Sequence, residues 1–263
     1  MKTKFGNPTL VSAVVLSLLL PPQLARTADG TPPAGRCVPA PFGITGWWPG
    51  DGNTDDIIGG RIAVLHGDAT TGAGLVDSAF ILDGDGDFVE VPHDPALDFG
   101  TGDFTVDLWV YFNDTAGEQI LAEKYIQRFS SPSEGWTLTK LPSNELVLAM
   151  ASADGSDWGV ATPPLAIPIG SWVHFAATRQ AGKITLFMNG VQVAKGFTLL
   201  NLDSTSSLKF GHRGNPTDTP GSEDDRDFFL NGRIDEVEIS VGRAWSPGLI
   251  RAIFEAGNAG KCK

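Results

Sequence analysis

The sequence predicts an all-β chain folded as a sandwich or a barrel. Short runs rich in aromatic and β-branched residues recur along it. Glycine and proline, 32 and 18 of the 263 residues, break those runs apart. Only one stretch carries a helical pattern. Many short strands separated by frequent turn signals point to sandwich or barrel architectures.

Taken in order, residues 1–25 read as a secretory signal peptide rather than as part of the fold. Lys2 and Lys4 precede an apolar run, Leu10 to Leu20, which Pro21 and Pro22 end. A positive start, a short apolar run and a small-residue stretch form the signal pattern. The run is shorter than the roughly 20 residues a membrane helix needs, and an uncleaved anchor is the alternative. No later segment is apolar for long enough to span a membrane. Residues 26–36 read as a Pro/Gly-rich linker and residues 37–263 as one domain.

Within that domain, residues 104–112 (FTVDLWVYF), 145–150, 172–178 and 184–188 have strand composition. Asn189-Gly190 joins the last of these to 191–194 as a hairpin, because both central positions of that turn need positive φ. Asp83-Gly84-Asp85-Gly86-Asp87 invites an EF-hand reading and fails it: Phe88 stands where the loop requires Gly. It reads better as a second hairpin, with Asp85-Gly86 at the tip. The helix lies near the C-terminus. Ser246 caps it, Pro247 fits its first turn and Gly257 ends it, with Leu249, Ile250, Ile253 and Phe254 as the apolar stripe.

The chain carries 31 acidic against 19 basic residues, a net charge of −12. Nucleic acid is thereby excluded as a partner, since its binding depends on Lys and Arg neutralising phosphate. The two cysteines, Cys37 and Cys262, sit at opposite ends of the domain. In an oxidising compartment an even pair is expected to be joined, which requires the first and last strands to be neighbours.

A series of motifs runs through the domain. Gly46-Trp47-Trp48-Pro49-Gly50-Asp51-Gly52-Asn53 opens it, and Ala79-Phe80-Ile81-Leu82-Asp83-Gly84 and Asp87-Phe88-Val89-Glu90-Val91-Pro92 follow. Later come Gly170-Ser171-Trp172-Val173-His174, Phe187-Met188-Asn189-Gly190-Val191, Gly232-Arg233-Ile234-Asp235-Glu236-Val237 and Ala244-Trp245-Ser246. In order and spacing they resemble the bacterial laminin-G-like jelly-roll family of the concanavalin A-like lectins and glucanases. The resemblance covers about residues 44–260. It implies a two-sheet antiparallel jelly-roll β-sandwich of six or seven strands per sheet, with adjacent first and last strands and one short C-terminal helix. It also implies a role in carbohydrate recognition or adhesion, and in many relatives one structural calcium ion.

Several residues are candidates for such roles. Asp51 and Asn53 with Asp235 form a possible calcium set, paired through the meeting of first and last strands; the alternative is that Asp51 and Asn53 cap a tight turn. Glu223, Asp224, Asp225 and Asp227 lie in a loop beside Phe228-Phe229, a composition suited to a ligand rim or to a solvated insertion. Trp136 and Trp158 stand in loop-like text and are candidates for sugar stacking, with core packing as the alternative. Trp47 and Trp48, being successive, should face opposite sides of one strand. Glu236 and Glu238 share a strand face, the arrangement a glycoside hydrolase would need. They fall, however, on the closing strand of the non-catalytic family, and no serine-hydrolase elbow or zinc-protease motif accompanies them. The expected protein is a secreted non-catalytic binding module whose partner is an extracellular glycan. A surface-protein adhesion domain and a divergent hydrolase are the alternatives, and the sequence leaves the oligomeric state open.

Overall fold

A computed structural model describes residues 36–128, 131–213 and 228–263. The early strands are β1 (Val38–Pro39), β2 (Gly46–Trp48), β3 (Val64–His66), β4 (Thr70–Ala73), β5 (Ser78–Asp83) and β6 (Phe88–Val91). The middle ones are β7 (Phe104–Phe112), β8 (Gln119–Ile126), β9 (Glu134–Lys140), β10 (Leu146–Ala151) and β11 (Asp157–Ala161). Then follow β12 (Trp172–Gln180), β13 (Lys183–Met188), β14 (Val191–Phe197), β15 (Leu208–Phe210) and β16 (Asn231–Val241). Helix α1 (Pro247–Ala256) and β17 (Lys261–Cys262) close the chain.

Two antiparallel sheets face each other. One has seven strands in the order β11-β10-β9-β8-β15-β6-β3. The other has eight, ordered β14-β13-β12-β7-β16-β5-β4 with β2 also paired to β16. Alternation along each strand sends one set of side chains inward. From β7, Val106, Leu108, Val110 and Phe112 enter the core with Trp48, Phe80, Phe175, Phe210 and Ile234. The other set of β7, Asp107 and Trp109, faces outward, and the terminal segments cover it.

That cover is a second apolar layer. Ile250 and Ile253 of α1 pack with Val38, Ala176, Phe187 and Trp245. The helix starts where the sequence places it, with Ser246 Oγ accepting from Leu249 N at 3.2 Å, and Gly257 stops it at φ 52°. Beside it β1 and β17 pair in parallel. Cys37 and Cys262, 225 residues apart, are bridged there, so the adjacency of first and last strands holds.

The Asn189-Gly190 hairpin between β13 and β14 also forms, with φ 50° and 72° at its two central residues. The Asp83–Asp87 run is not a hairpin. β5 belongs to the eight-stranded sheet and β6 to the seven-stranded one, so the run turns a corner between layers. Buried Asp87 holds that corner, accepting from Asp83 N at 3.1 Å and from Asp68 N at 2.8 Å. Among the described residues no helix is long and apolar enough to cross a membrane.

Candidate functional site

The densest chemistry lies on the outer face of the eight-stranded sheet, beneath the Gly260–Lys263 strap. Asp107 of β7, His174 of β12, Glu236 and Glu238 of β16 and Lys261 of β17 are all buried there. A β-bulge brings the two glutamates together. Asp235 pairs with Trp109 and Glu238 with Asp107, leaving one extra residue in β16, and Glu236 takes φ 55° to absorb it.

Lys261 enters this pocket from the strap. Its Nζ lies 2.7 Å from Glu238, 3.5 Å from Glu236 and 3.9 Å from Asp107. Trp47 covers it, with Nζ 5.6 Å from the ring centroid. Burial alone would lower the lysine's pKa; the surrounding carboxylates overcome that and raise it. Burial pushes Glu238 well above the usual carboxylate range, with Lys261 opposing. Asp107 is pushed up by burial too, but His174, whose Nε2 lies 2.8 Å from Oδ2, brings it below its ordinary value. The glutamates therefore meet on one face, as their spacing suggests, but as partners of an internal lysine and without access to solvent.

Asp51 and Asp235 converge on one feature, the turn between β4 and β5. Asp51 Oδ1 accepts from Ser78 N at 3.1 Å, and Asp235 Oδ2 accepts from Leu75 N and Val76 N at 2.8 and 3.0 Å. Gly74 is required beneath them, since a Cβ there would stand 2.7 Å from Asp235 Oδ2. Burial pushes the Asp235 carboxyl up to about 8. Lys263 Nζ bonds the other oxygen of Asp51 and lies 2.8 Å from Glu236. Asn53 caps its own turn, accepting from Asp55 N at 2.9 Å. In this arrangement both Asp51 oxygens, Asp235 Oδ2 and the Asn53 carbonyl already accept from amide hydrogens or a lysine, while buried Asp235 Oδ1 has no hydrogen-bond partner among the described residues.

Above the strap a cleft of about 440 Å³ opens to solvent. Trp47, Asp51, Asn53, Ile57, Ile58 and Lys263 line it, along with the bridged Cys262.

The tryptophan and acidic-loop candidates fare differently. Trp136 is 1% exposed and stacks on Phe99 with ring centroids 5.2 Å apart. It has no free face for a sugar, which corrects the stacking expectation: β9 turns it inward. Trp158 is half-buried and packs against the core; its ring crosses Gly196 of the facing sheet, where a Cβ would lie 2.1 Å away. Trp47 and Trp48 do face opposite sides, Trp48 into the core and Trp47 under the strap. Glu223, Asp224, Asp225 and Asp227 lie outside the described residues.

A carboxylate grouping that could hold a cation sits elsewhere. Ligand atoms of Asp68, Asp83 and Asp87 lie within 4.8 Å of one another. Burial raises the pKa of Asp87, against the two amide hydrogens it accepts. The sequence signal was the Asp83-Asp85-Asp87 alternation, but Asp68 joins only through the pairing of β3 with β6.

Residues 83–250 match the family model described as the concanavalin A-like lectin/glucanases superfamily, Laminin_G_3. The chain belongs to this family. Solved structures share the fold at low identity. One is domain 4 of AbnA, an extracellular arabinanase from Geobacillus stearothermophilus, in complex with arabinotriose: 18% identity, TM-score 0.60, covering 79% of this chain and 96% of that one. Another is the binding domain of Paraclostridial Mosquitocidal Protein 1, at 20% identity and TM-score 0.58, covering 76% of this chain and 48% of that one. A third is the binding domain of Botulinum Neurotoxin DC in complex with SialylT, at 14% identity and TM-score 0.60, covering 81% and 51%. The chain thus spans about half the length of both toxin structures. No curated protein matches the sequence significantly.

Proposed function

We propose that this laminin-G-like domain is a secreted, non-catalytic module that recognises an extracellular glycan. The observation that carries this reading is the contrast between what the strap seals and what it leaves open. The carboxylates that a divergent hydrolase would use, Glu236 and Glu238, are buried and paired with Lys261. A glycosidase needs both groups of its pair to reach the scissile bond. The solvent-open cleft above them is instead lined by an amide, a carboxylate, a lysine, an indole and aliphatic side chains, a mixture suited to holding a small polar ligand.

Three further points support it. The disulfide suits an oxidising compartment, and the N-terminal residues have signal-peptide character. The relatives bound to arabinotriose and to SialylT show this fold serving as a binding domain in other proteins, a fold-level analogy only. The test is retention on a panel of immobilised polysaccharides, run with calcium and with chelator. Selective retention of one glycan class is expected. If no glycan retains the domain, a protein partner takes the place of the glycan.

A further inference from the structure

The loop that forms one wall of the cleft is held more firmly than its exposure requires. Buried Asp56 accepts from the amides of Trp47, Ile58 and Gly59 on Oδ1, at 2.8, 3.0 and 2.9 Å. Its Oδ2 takes the Arg61 guanidinium at 2.8 Å, and Ile57 N donates to Trp47 O at 2.9 Å. These bonds hold Ile57 and Ile58 outward, 44% and 50% exposed. Single exposed apolar residues are ordinary. Two adjacent ones on a loop pinned at each peptide, both facing one cleft, form a preorganised contact surface.

The floor points the same way. Trp47 lines the cleft, and its buried indole N–H has no acceptor among the described residues. Trp48, Trp136 and Trp245 also have an unpaired N–H, but none of them lines this cleft. On the wall, Asn53 uses its carbonyl in the turn, and no hydrogen bond among the described residues takes up its amide hydrogens. Lys263, the cation of the cleft, is already shared between Asp51 and Glu236. With a chain charge of −12, nothing here would compensate an anionic ligand.

We propose that this cleft is the glycan site, that it takes a neutral saccharide residue, and that it does so without a metal ion. The Asn53 amide and the Asp51 carboxylate bond ring hydroxyls, and the C–H face of the sugar packs on Ile57 and Ile58. Lys263 bridges the acidic groups as a cation otherwise would. The volume falls within the roughly 300–1,000 Å³ of small-ligand clefts. This inference rests on the glycan-binding reading.

The experiment titrates the full secreted chain, its Ile58→Asp variant and its Asn53→Ala variant against whichever neutral polysaccharide the unmodified chain retains. Each titration is run in calcium and in chelator, with melting temperatures recorded alongside. The expected result is binding indifferent to chelator. Ile58→Asp should weaken it about tenfold or more with its melting temperature unchanged, and Asn53→Ala severalfold, with its melting temperature lowered by no more than the loss of the Asp55 N bond accounts for. Normal binding by both variants would place the site elsewhere and overturn the inference while leaving glycan recognition standing. Loss of binding in chelator, or retention only on acidic polysaccharides, would also overturn it. Failure of the unmodified chain to bind any glycan would remove the broader reading and this one together.

Discussion

Replacing Lys261 with Met removes the only cation among the described residues within contact distance of Glu238 and leaves the hydrocarbon volume nearly intact. The lysine's 2.7 Å contact corresponds to a gross attraction of about 6 kcal/mol at an effective dielectric of 20. Desolvation of both ions offsets part of that. Breaking a buried pair by removing one partner costs about 3–5 kcal/mol, because the remaining charge is left uncompensated. We expect Lys261→Met to cost that much at pH 7. The cost should also depend on pH. Glu238 already has a raised pKa through burial, and losing Lys261 raises it further. Between the ordinary carboxylate range and that raised value, the folded variant holds a proton that the unfolded chain has released. Its stability should therefore fall as pH rises, by up to about 1.4 kcal/mol per pH unit. Below pH 4 the carboxyls are protonated in both states and the cost should shrink. Urea unfolding of both proteins at pH 4, 5.5 and 7 measures this. A loss under about 1 kcal/mol that is the same at all three values would refute the buried-pair account.

Other consequences can be measured in the same way. Asp235→Asn keeps an oxygen for Leu75 N and Val76 N but cannot ionise. Because Asp235 is held up to about 8, the unmodified protein should lose stability between pH 4 and 8 and the variant less; parallel pH profiles would contradict this. Replacing Cys37 and Cys262 with serine opens a link spanning 225 residues, for which the chain-entropy model gives an upper value of about 5 kcal/mol. A shift in the denaturation midpoint worth under about 1 kcal/mol would mean that Lys261 and α1 hold the strap unaided. Trp136→Ala should cost about 3–5 kcal/mol as a core truncation and leave the glycan affinity of the folded protein unchanged. A selective loss of affinity would return Trp136 to the ligand.

Local signals made much of the fold legible. The β7 boundaries, the Asn189-Gly190 turn, the caps of α1 and the terminal disulfide each depend on residues close in sequence or on an even cysteine pair. The errors have a common cause: neighbours in space that are distant in the chain. Asp85-Gly86 carries a hairpin signal, but which sheet β6 joins is decided by its pairing with β3 and β15. Trp136 lies beside Gly135 in turn-like text, yet β9 pairing turns it inward onto Phe99. Lys261 was not legible at all: it is one of two lysines flanking Cys262 at the end of the sequence, and it becomes the counter-ion of three buried carboxylates. The bulge that gathers Glu236 and Glu238 around it has no glycine to announce it. Asp51 and Asp235 both accept from backbone amides at the turn between β4 and β5, a convergence of residues distant in the chain.

On the function we propose, the domain holds a glycan without cutting it. The most direct measurement incubates the domain with the polysaccharide that retains it and follows bound protein and new reducing ends in the same sample. The account predicts saturable retention with no reducing ends above background. New reducing ends that vanish in Glu236→Gln or Glu238→Gln would contradict it, and would mean that the strap opens to admit substrate to the buried carboxylates.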